Sequence, residues 1–475
     1  MNVMATRTSA ATSAGRFAGR SRGKLAPGLP TWRRFAALAL TGLAIGAALA
    51  AAALADPGAQ TAATDPDGAR GYEQAPGHGV QRGLLLAPRL LLLPLRVGLN
   101  VATFPVRVAA GALSSSGLPE RTARGFRADR YFTPVAFVDP DPGLNFGFRA
   151  GHHNPLDDQG CVTYRAAWGG TKWQVYALTL RSRDLRHPGW TYRVTGKWEI
   201  IPNHNYFGIG NSTLYGNRTY YTSEKYLLLA TLGRTLNPWT RLNLNLSHHR
   251  CLISHAAYVE APDKSIEERF PSEASAPGYR LDPQNYWAEL ALTLDHRDRP
   301  GRTTAGWMAE GYAGYAMGAG LDAADYWRYG AEASGYVPLA QGQTLTLRAA
   351  GEEARTSSDE PIKITELMSL GGRSSLRGYV EDRFLDNASV MWTAEYRYQI
   401  APFAQASLFA DFGKVMPRLL DFNLDDIHRS FGGGLQFAID EQFLFRLEMA
   451  KSDETYVLIG TLEPVFERED RRDRR

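Results

Sequence analysis

Along most of the chain, apolar and polar side chains alternate with a period of two. Leu144, Phe146 and Phe148 stand against Asn145, Gly147 and Arg149, and Trp190, Tyr192, Val194 and Trp198 against Thr191, Arg193, Thr195, Lys197 and Glu199. Leu242, Leu244 and Leu246 face away from Asn243, Asn245 and Ser247, and Leu290, Leu292 and Leu294 repeat the pattern. Near the C-terminus Trp392, Ala394, Tyr396 and Tyr398 alternate with Thr393, Glu395, Arg397 and Gln399, and Phe443, Phe445, Leu447 and Met449 with Leu444, Arg446, Glu448 and Ala450. Successive side chains of a strand point to opposite faces, so each run predicts a β-strand with one apolar and one polar face. Trp173 to Arg181 alternates poorly. The runs are about ten residues long, more than soluble strands usually reach and enough to cross a bilayer when tilted.

The polar faces carry whole charges, which suits a water-filled lumen. An open sheet edge in lipid would leave backbone donors and acceptors unpaired, so such a sheet has to close on itself. The expected fold is therefore all-β, a transmembrane antiparallel β-barrel over residues 131–466. About fifteen strands can be placed between Leu144 and Phe466, and even parity with a weak hairpin around Ser212 to Lys225 makes sixteen the expected count. Short breaks such as Trp168-Gly169-Gly170 and Leu339-Ala340-Gln341-Gly342 read as periplasmic turns. Ser254 to Pro283 and Ala354 to Leu370 read as outer loops.

The N-terminal part follows other rules. Arg7, Arg16, Arg20, Arg22, Lys24, Arg33 and Arg34 precede an uncharged run from Phe35 to Leu54 that ends Ala53-Leu54-Ala55 before Asp56. Basic region, apolar region and small-residue exit predict a cleaved export signal over residues 1–55. Residues 56–80, rich in Ala, Gly, Pro and Asp, read as a linker. Residues 81–130 are Leu-rich but broken by Pro88, Pro94 and Pro105, which forbids one straight spanning helix and predicts a short amphipathic helical segment. A charged tail fills 467–475.

Composition narrows the function. The chain has 53 Lys and Arg against 49 Asp and Glu. Seven of the basic residues lie in the first 55, so the remainder is slightly acidic and no nucleic-acid partner is expected. Cys161 and Cys251 are the only cysteines; both are expected near outer strand ends and cannot build a multi-Cys metal site. His152-His153, and His248-His249 with His255, read as solvated loop and rim residues, because nothing supplies further ligands at fixed spacing. No Ser sits in a nucleophile elbow, so neither an enzyme, a metal nor a cofactor is expected.

One segment breaks the alternation: Leu370-Gly371-Gly372-Arg373-Ser374-Ser375-Leu376-Arg377-Gly378-Tyr379. Gly371 and Gly372 permit tight bends, and a guanidinium carried inward would need carboxylate partners, for which Glu395 and Asp411 are candidates. Strand parity puts Asp411 inside with Phe409, Ser407 and Gln405, while Ala410, Leu408, Ala406 and Ala404 face lipid.

This GG-x-x-S-L-R-G-Y loop, the following Thr393-Ala394-Glu395-Tyr396-Arg397-Tyr398 strand and the Leu408-Phe409-Ala410-Asp411-Phe412-Gly413 strand resemble the C-terminal barrel of BamA/TamA-type outer-membrane proteins, the bacterial surface antigen family. Leu294-Asp295-His296-Arg297-Asp298 and Tyr206-Phe207-Gly208-Ile209-Gly210-Asn211 are similar to two further segments of that family. The resemblance covers about Asp139 to Phe466. It implies an outer-membrane location, sixteen strands, a weak seam between first and last strand, and a loop folded into the barrel with Arg377, Gly378 and Tyr379 held against Asp411 and Glu395. It also implies assistance to insertion or translocation of polypeptide or lipid, with outer-membrane lipid and nascent outer-membrane polypeptides as partners. The span from Asp56 to Asp141 shows no β-α-α-β-β pattern, so no periplasmic POTRA module is expected. Two alternatives stay open: a passive channel or structural barrel without a client, and an Arg377 that only tethers the loop rather than gating.

Overall fold

The computed structural model describes residues 130–461, apart from 140–142, 154–159, 170–172, 183–188, 257–264, 273–274, 280, 300–302, 320–322, 357–359, 402 and 440–441. The expected export signal, linker, helical segment and charged tail, with Phe466, lie outside the described residues.

Among the described residues, sixteen strands form one antiparallel sheet. The first are β1 (Arg130–Asp139), β2 (Gly143–His153), β3 (Gly160–Gly169), β4 (Trp173–Ser182), β5 (Gly189–Tyr206) and β6 (Thr219–Asn237). Then come β7 (Thr240–His255), β8 (Gln284–Asp295), β9 (Gly306–Ala319), β10 (Tyr326–Ala340) and β11 (Gln343–Thr356). A small ribbon of β12 (Met368–Leu370) and β13 (Phe384–Asp386) pairs only with itself. The sheet resumes with β14 (Ala388–Ala401), β15 (Ala404–Met416), β16 (His428–Ile439), β17 (Gln442–Lys451) and β18 (Tyr456–Thr461). Every strand pairs with its sequence neighbour, β11 reaching β14 past the ribbon, and β1 comes to lie beside β18. The sheet thus curls into a barrel.

Exposure is inverted relative to a soluble protein. Leu228, Leu246, Leu290 and Met449 are 49–61% exposed, whereas Asn245, Glu289, Asp411 and Glu448 are at most 3% exposed. In water the apolar set would be buried; here the apolar faces look outward to lipid and the polar faces inward. Aromatic rings line the outer wall from strand to strand, Phe148 against Trp168, Trp168 against Tyr176 and Tyr176 against Trp198 at centroid distances of 5.6–6.0 Å. The poor alternation of β4 has a cause: Trp173 and Val175 point inward into an apolar cluster with Ala167, so both faces of its first half are apolar.

Several expectations need correction. The sixteenth strand is β1, ahead of Leu144, and not a hairpin at Ser212 to Lys225. Thr219 to Lys225 instead begins the long strand β6, and Tyr215–Asn217 is a single 3-10 turn. Because the strands run alternately up and down, the end of β3 at Gly169 and the start of β4 at Trp173 lie at the same end as the 360–387 stretch between β11 and β14, while the β10–β11 turn at Gln341-Gly342 lies at the other. Cys161, opening β3, therefore sits at the turn end with His152 and His153, and only Cys251 is nearer the loop end; both cysteines are free and buried. His249 is buried rather than solvated, and Ala404 and Ala406 keep the outward parity of β15 while neighbouring atoms cover them.

Candidate functional site

The β11–β14 connection dips into the lumen. Its two-stranded ribbon packs Leu370, Leu376, Tyr379 and Phe384 on the inward side chains Met391 of β14 and Val415 of β15. Glycine makes the descent possible. Gly371 and Gly372 have φ of +123° and +82°, where a Cβ is strained. The Ser375 hydroxyl then braces the bend, accepting from Gly371 N and donating to Gly371 O, both at 2.9 Å.

At the tip stands Arg377, fully buried. Its Nε and Nη2 donate to Asp411 Oδ2 and Oδ1 at 2.9 and 2.8 Å, and its backbone N–H reaches Asp411 Oδ2 at 3.2 Å. Its Nη1 donates to Glu395 Oε2 at 2.9 Å and Glu448 Oε1 at 3.0 Å. The guanidinium lies over the Phe409 ring, 3.3 Å from its centroid. Register explains the convergence: Thr393 pairs with Asp411 and Asp411 with Ser430 across β14, β15 and β16. Thr393 Oγ1 and Ser430 Oγ donate to the same carboxylate at 3.0 and 3.3 Å. Arg446 of β17 completes the cluster, bonded to Glu448 and, at 3.3 Å, to Glu395. Burial works against the Arg377 cation, yet Asp411, Glu395 and Glu448 together raise its pKa, so it stays charged at any physiological pH.

The Gly-rich break and the family resemblance select Arg377, strand parity selects Asp411 and Glu395, and the structure brings these three together. Glu448 and Arg446 were missed as partners, although both stand on the polar face of β17. Gly378 presses against the wall: a Cβ there would fall 2.6 Å from Ser430 Cβ and 2.7 Å from the Lys451 carbonyl carbon. Tyr379 donates to Asp453 Oδ1 at 2.5 Å.

Higher on the ribbon, Arg383 was not singled out from sequence. It forks onto Glu454 at 2.7 and 2.6 Å and onto Thr213 Oγ1 and O at 2.8 and 2.6 Å, between the rings of Phe207 and Phe384. The Phe207-Gly208-Ile209-Gly210-Asn211 segment is part of the same closure. Gly210 N donates to Leu385 O at 2.7 Å, and Asn211 bonds Asp426 O and Val415 N. Among the described residues no group of His, Cys, Asp and Glu is arranged to hold a metal. Charge and hydrogen bonds thus join the lumenal ribbon to the wall.

Comparison with known proteins agrees with the architecture. No curated protein sequence matches the chain. The structure overlays that of Haemophilus ducreyi BamA lacking POTRA domains 1–3 with a TM-score of 0.52 and 16% identity, covering 70% of each chain. CdiB from Acinetobacter baumannii and CdiB from Escherichia coli overlay more loosely, with TM-scores of 0.45 and 0.48 and 12% identity, and the match covers 70% of this chain but 59% and 62% of theirs. Residues 162–457 match the Omp85 superfamily domain, so the chain belongs to the Omp85 superfamily and is a barrel of the bacterial outer membrane.

Proposed function

We propose that this barrel inserts or passes polypeptide at the outer membrane through the seam between β1 and β18, with the lumenal ribbon as the latch that sets how readily the seam opens. The observation that carries the reading is where the latch is fastened. Arg377 binds Glu448 on β17, while Tyr379 and Arg383 bind Asp453 and Glu454 in the β17–β18 connection. These three anchors lie on the elements beside the seam, while Asp411 and Glu395 hold Arg377 to β15 and β14, so releasing the ribbon removes the lumenal bonds to the last hairpin. A strand end freed in this way offers backbone donors and acceptors for strand addition by an incoming polypeptide. The clients would be nascent outer-membrane polypeptides.

Site-specific photocrosslinking tests this. Probes at Phe132 of β1 and Leu458 of β18, both outward-facing and exposed, should yield adducts with outer-membrane polypeptides in transit, and depletion of the protein should lower the level of those same polypeptides. Adducts with lipid alone, together with an unchanged outer-membrane proteome after depletion, would refute the reading.

A further inference from the structure

We propose that residues 417–425 of the β15–β16 connection form a membrane foot that folds back over the outer wall of the barrel and seats Leu420, Phe422 and Leu424 in lipid at the boundary between headgroups and acyl chains.

Two charged side chains stand on the wrong face and reveal where the loop lies. Along β15, Asp411 points inward and Phe412 outward, so Lys414 has the outward parity, yet it is 8% exposed. Its ammonium donates to Asn423 Oδ1 at 2.5 Å and Asp425 O at 2.6 Å, both in the loop. Along β11, Glu352 points inward, where Tyr312 donates to it at 2.7 Å, so Glu353 points outward, yet it is 4% exposed. Its Oε2 accepts from Leu419 N at 3.0 Å. An uncovered charge on the lipid face is costly, so the loop lies outside the wall and caps one cation and one anion.

The apolar contacts give the same placement. Leu419 packs over Gly351 beside Val390, on the outward side of β11 and β14. Phe422 meets Trp392 edge-on at a centroid distance of 6.4 Å. Trp392 in turn stacks on Phe412 at 5.9 Å, and Phe412 meets Phe431 at 6.1 Å, an outward aromatic row of the kind that marks the membrane interface. Having used Leu419 and one edge of Phe422 against the wall, the loop leaves Leu420 57%, Phe422 41% and Leu424 74% exposed. Arg418 and Asp421 form an exposed ion pair beside them at 3.1 Å. An apolar tip between charged flanks is the pattern of a segment lying in the interface. The occupant is lipid, because this patch is continuous with a wall that already faces lipid.

Single cysteines at Leu420 and Leu424, carrying an environment-sensitive fluorophore, test the placement in phosphatidylcholine proteoliposomes of the full chain; the two native cysteines are buried. A third label at Ser272, exposed in the β7–β8 connection at the same end, serves as the aqueous reference. Lipid brominated near the top of the acyl chain should remove roughly half of the emission at Leu420→Cys and Leu424→Cys and leave Ser272→Cys unchanged. Emission at both sites matching the aqueous reference, unquenched by brominated lipid, would overturn the proposal. So would a blue-shifted emission that brominated lipid does not quench and that fades as protein is diluted in lipid, since that would mean a second copy covers the patch.

Discussion

Glu366 Oε1 lies 2.7 Å from His249 Nε2, which binds the root of the lumenal ribbon to β7, well away from the strands that hold Arg377. The other oxygen accepts from Tyr326 Oη at 2.6 Å and Arg328 Nη2 at 3.1 Å, both on β10. The ribbon is therefore fastened at its root by Glu366, at its tip by Arg377 and on its return by Tyr379 and Arg383. Releasing the tip alone leaves the root attached.

The root has a pH dependence whose sign can be worked out. Burial alone would raise the Glu366 pKa, but His249 and Arg328, with hydrogen bonds from His249 and Tyr326, outweigh it and hold the carboxyl far below the usual range. A depressed folded-state pKa contributes stability that is present above the unfolded value, near about 4.3, and fades as pH falls through the folded value. Wild type should therefore resist protease better than Glu366→Gln at neutral pH, and the gap should narrow progressively below about pH 4. A gap that stays constant over that range would remove Glu366 as its source.

The tip should show a hierarchy among its carboxylates. Both oxygens of Asp411 accept two or more hydrogen bonds, so an amide nitrogen placed there would face donors on every side. Glu448 is different, because its Oε2 has no hydrogen-bond partner and could become an amide nitrogen without a clash. Asp411→Asn is expected to cost about 3 kcal/mol or more, approaching a broken buried pair, and Glu448→Gln about 1 kcal/mol. Arg377→Ala should match or exceed Asp411→Asn, with the barrel still heat-modifiable in detergent gels. Equal losses for Asp411→Asn and Glu448→Gln in denaturant titrations would contradict this geometry.

Arg383→Lys separates charge from shape. Lysine keeps the cation for Glu454 but cannot fork onto the carboxylate and Thr213 together, nor stack between Phe207 and Phe384. Limited proteolysis should then open the 207–217 and 452–455 connections first, while the wall strands stay protected. Unchanged cleavage would mean that the fork contributes nothing to closure.

How much of this was legible in the sequence depends on which residues are considered. Alternation identified β7, β8, β14 and β17 because their inward faces are polar; it blurred β4, where Trp173 and Val175 fill the inside with apolar bulk. Asp411 and Glu395 could be chosen because two adjacent strands with clear parity carry them. Glu448 could not be joined to them. It lies two strands further on, across β16, whose run Gly432-Gly433-Gly434 has no side chains to set register. Glu366 and Arg383 sit in a loop without periodicity, so nothing in the pattern indicated that they meet His249 and Glu454. Nothing in the sequence pairs the outward charges Lys414 and Glu353 with the 417–425 loop that covers them.

Gly378 offers the sharpest test of the latch, because it can be disturbed without removing any charge. A methyl at this position would fall 2.6 Å from Ser430 Cβ, 2.7 Å from the Lys451 carbonyl carbon and 2.8 Å from its oxygen. Two of those atoms belong to strand backbone and cannot give way, so the ribbon itself has to move off the wall. The Arg377 forks onto Asp411 are short and directional, and a shift of an ångström would strip them of most of their strength. Gly378→Ala should therefore behave like Arg377→Ala in function and ribbon protease sensitivity while every charge of the cluster remains. The clash acts through β16 and β17, so combining the two changes should add little beyond either alone, as for residues acting on one contact. Full additivity in the double variant, or a Gly378→Ala protein as active and protected as wild type, would show that the close approach of ribbon and wall is not what holds Arg377 in place.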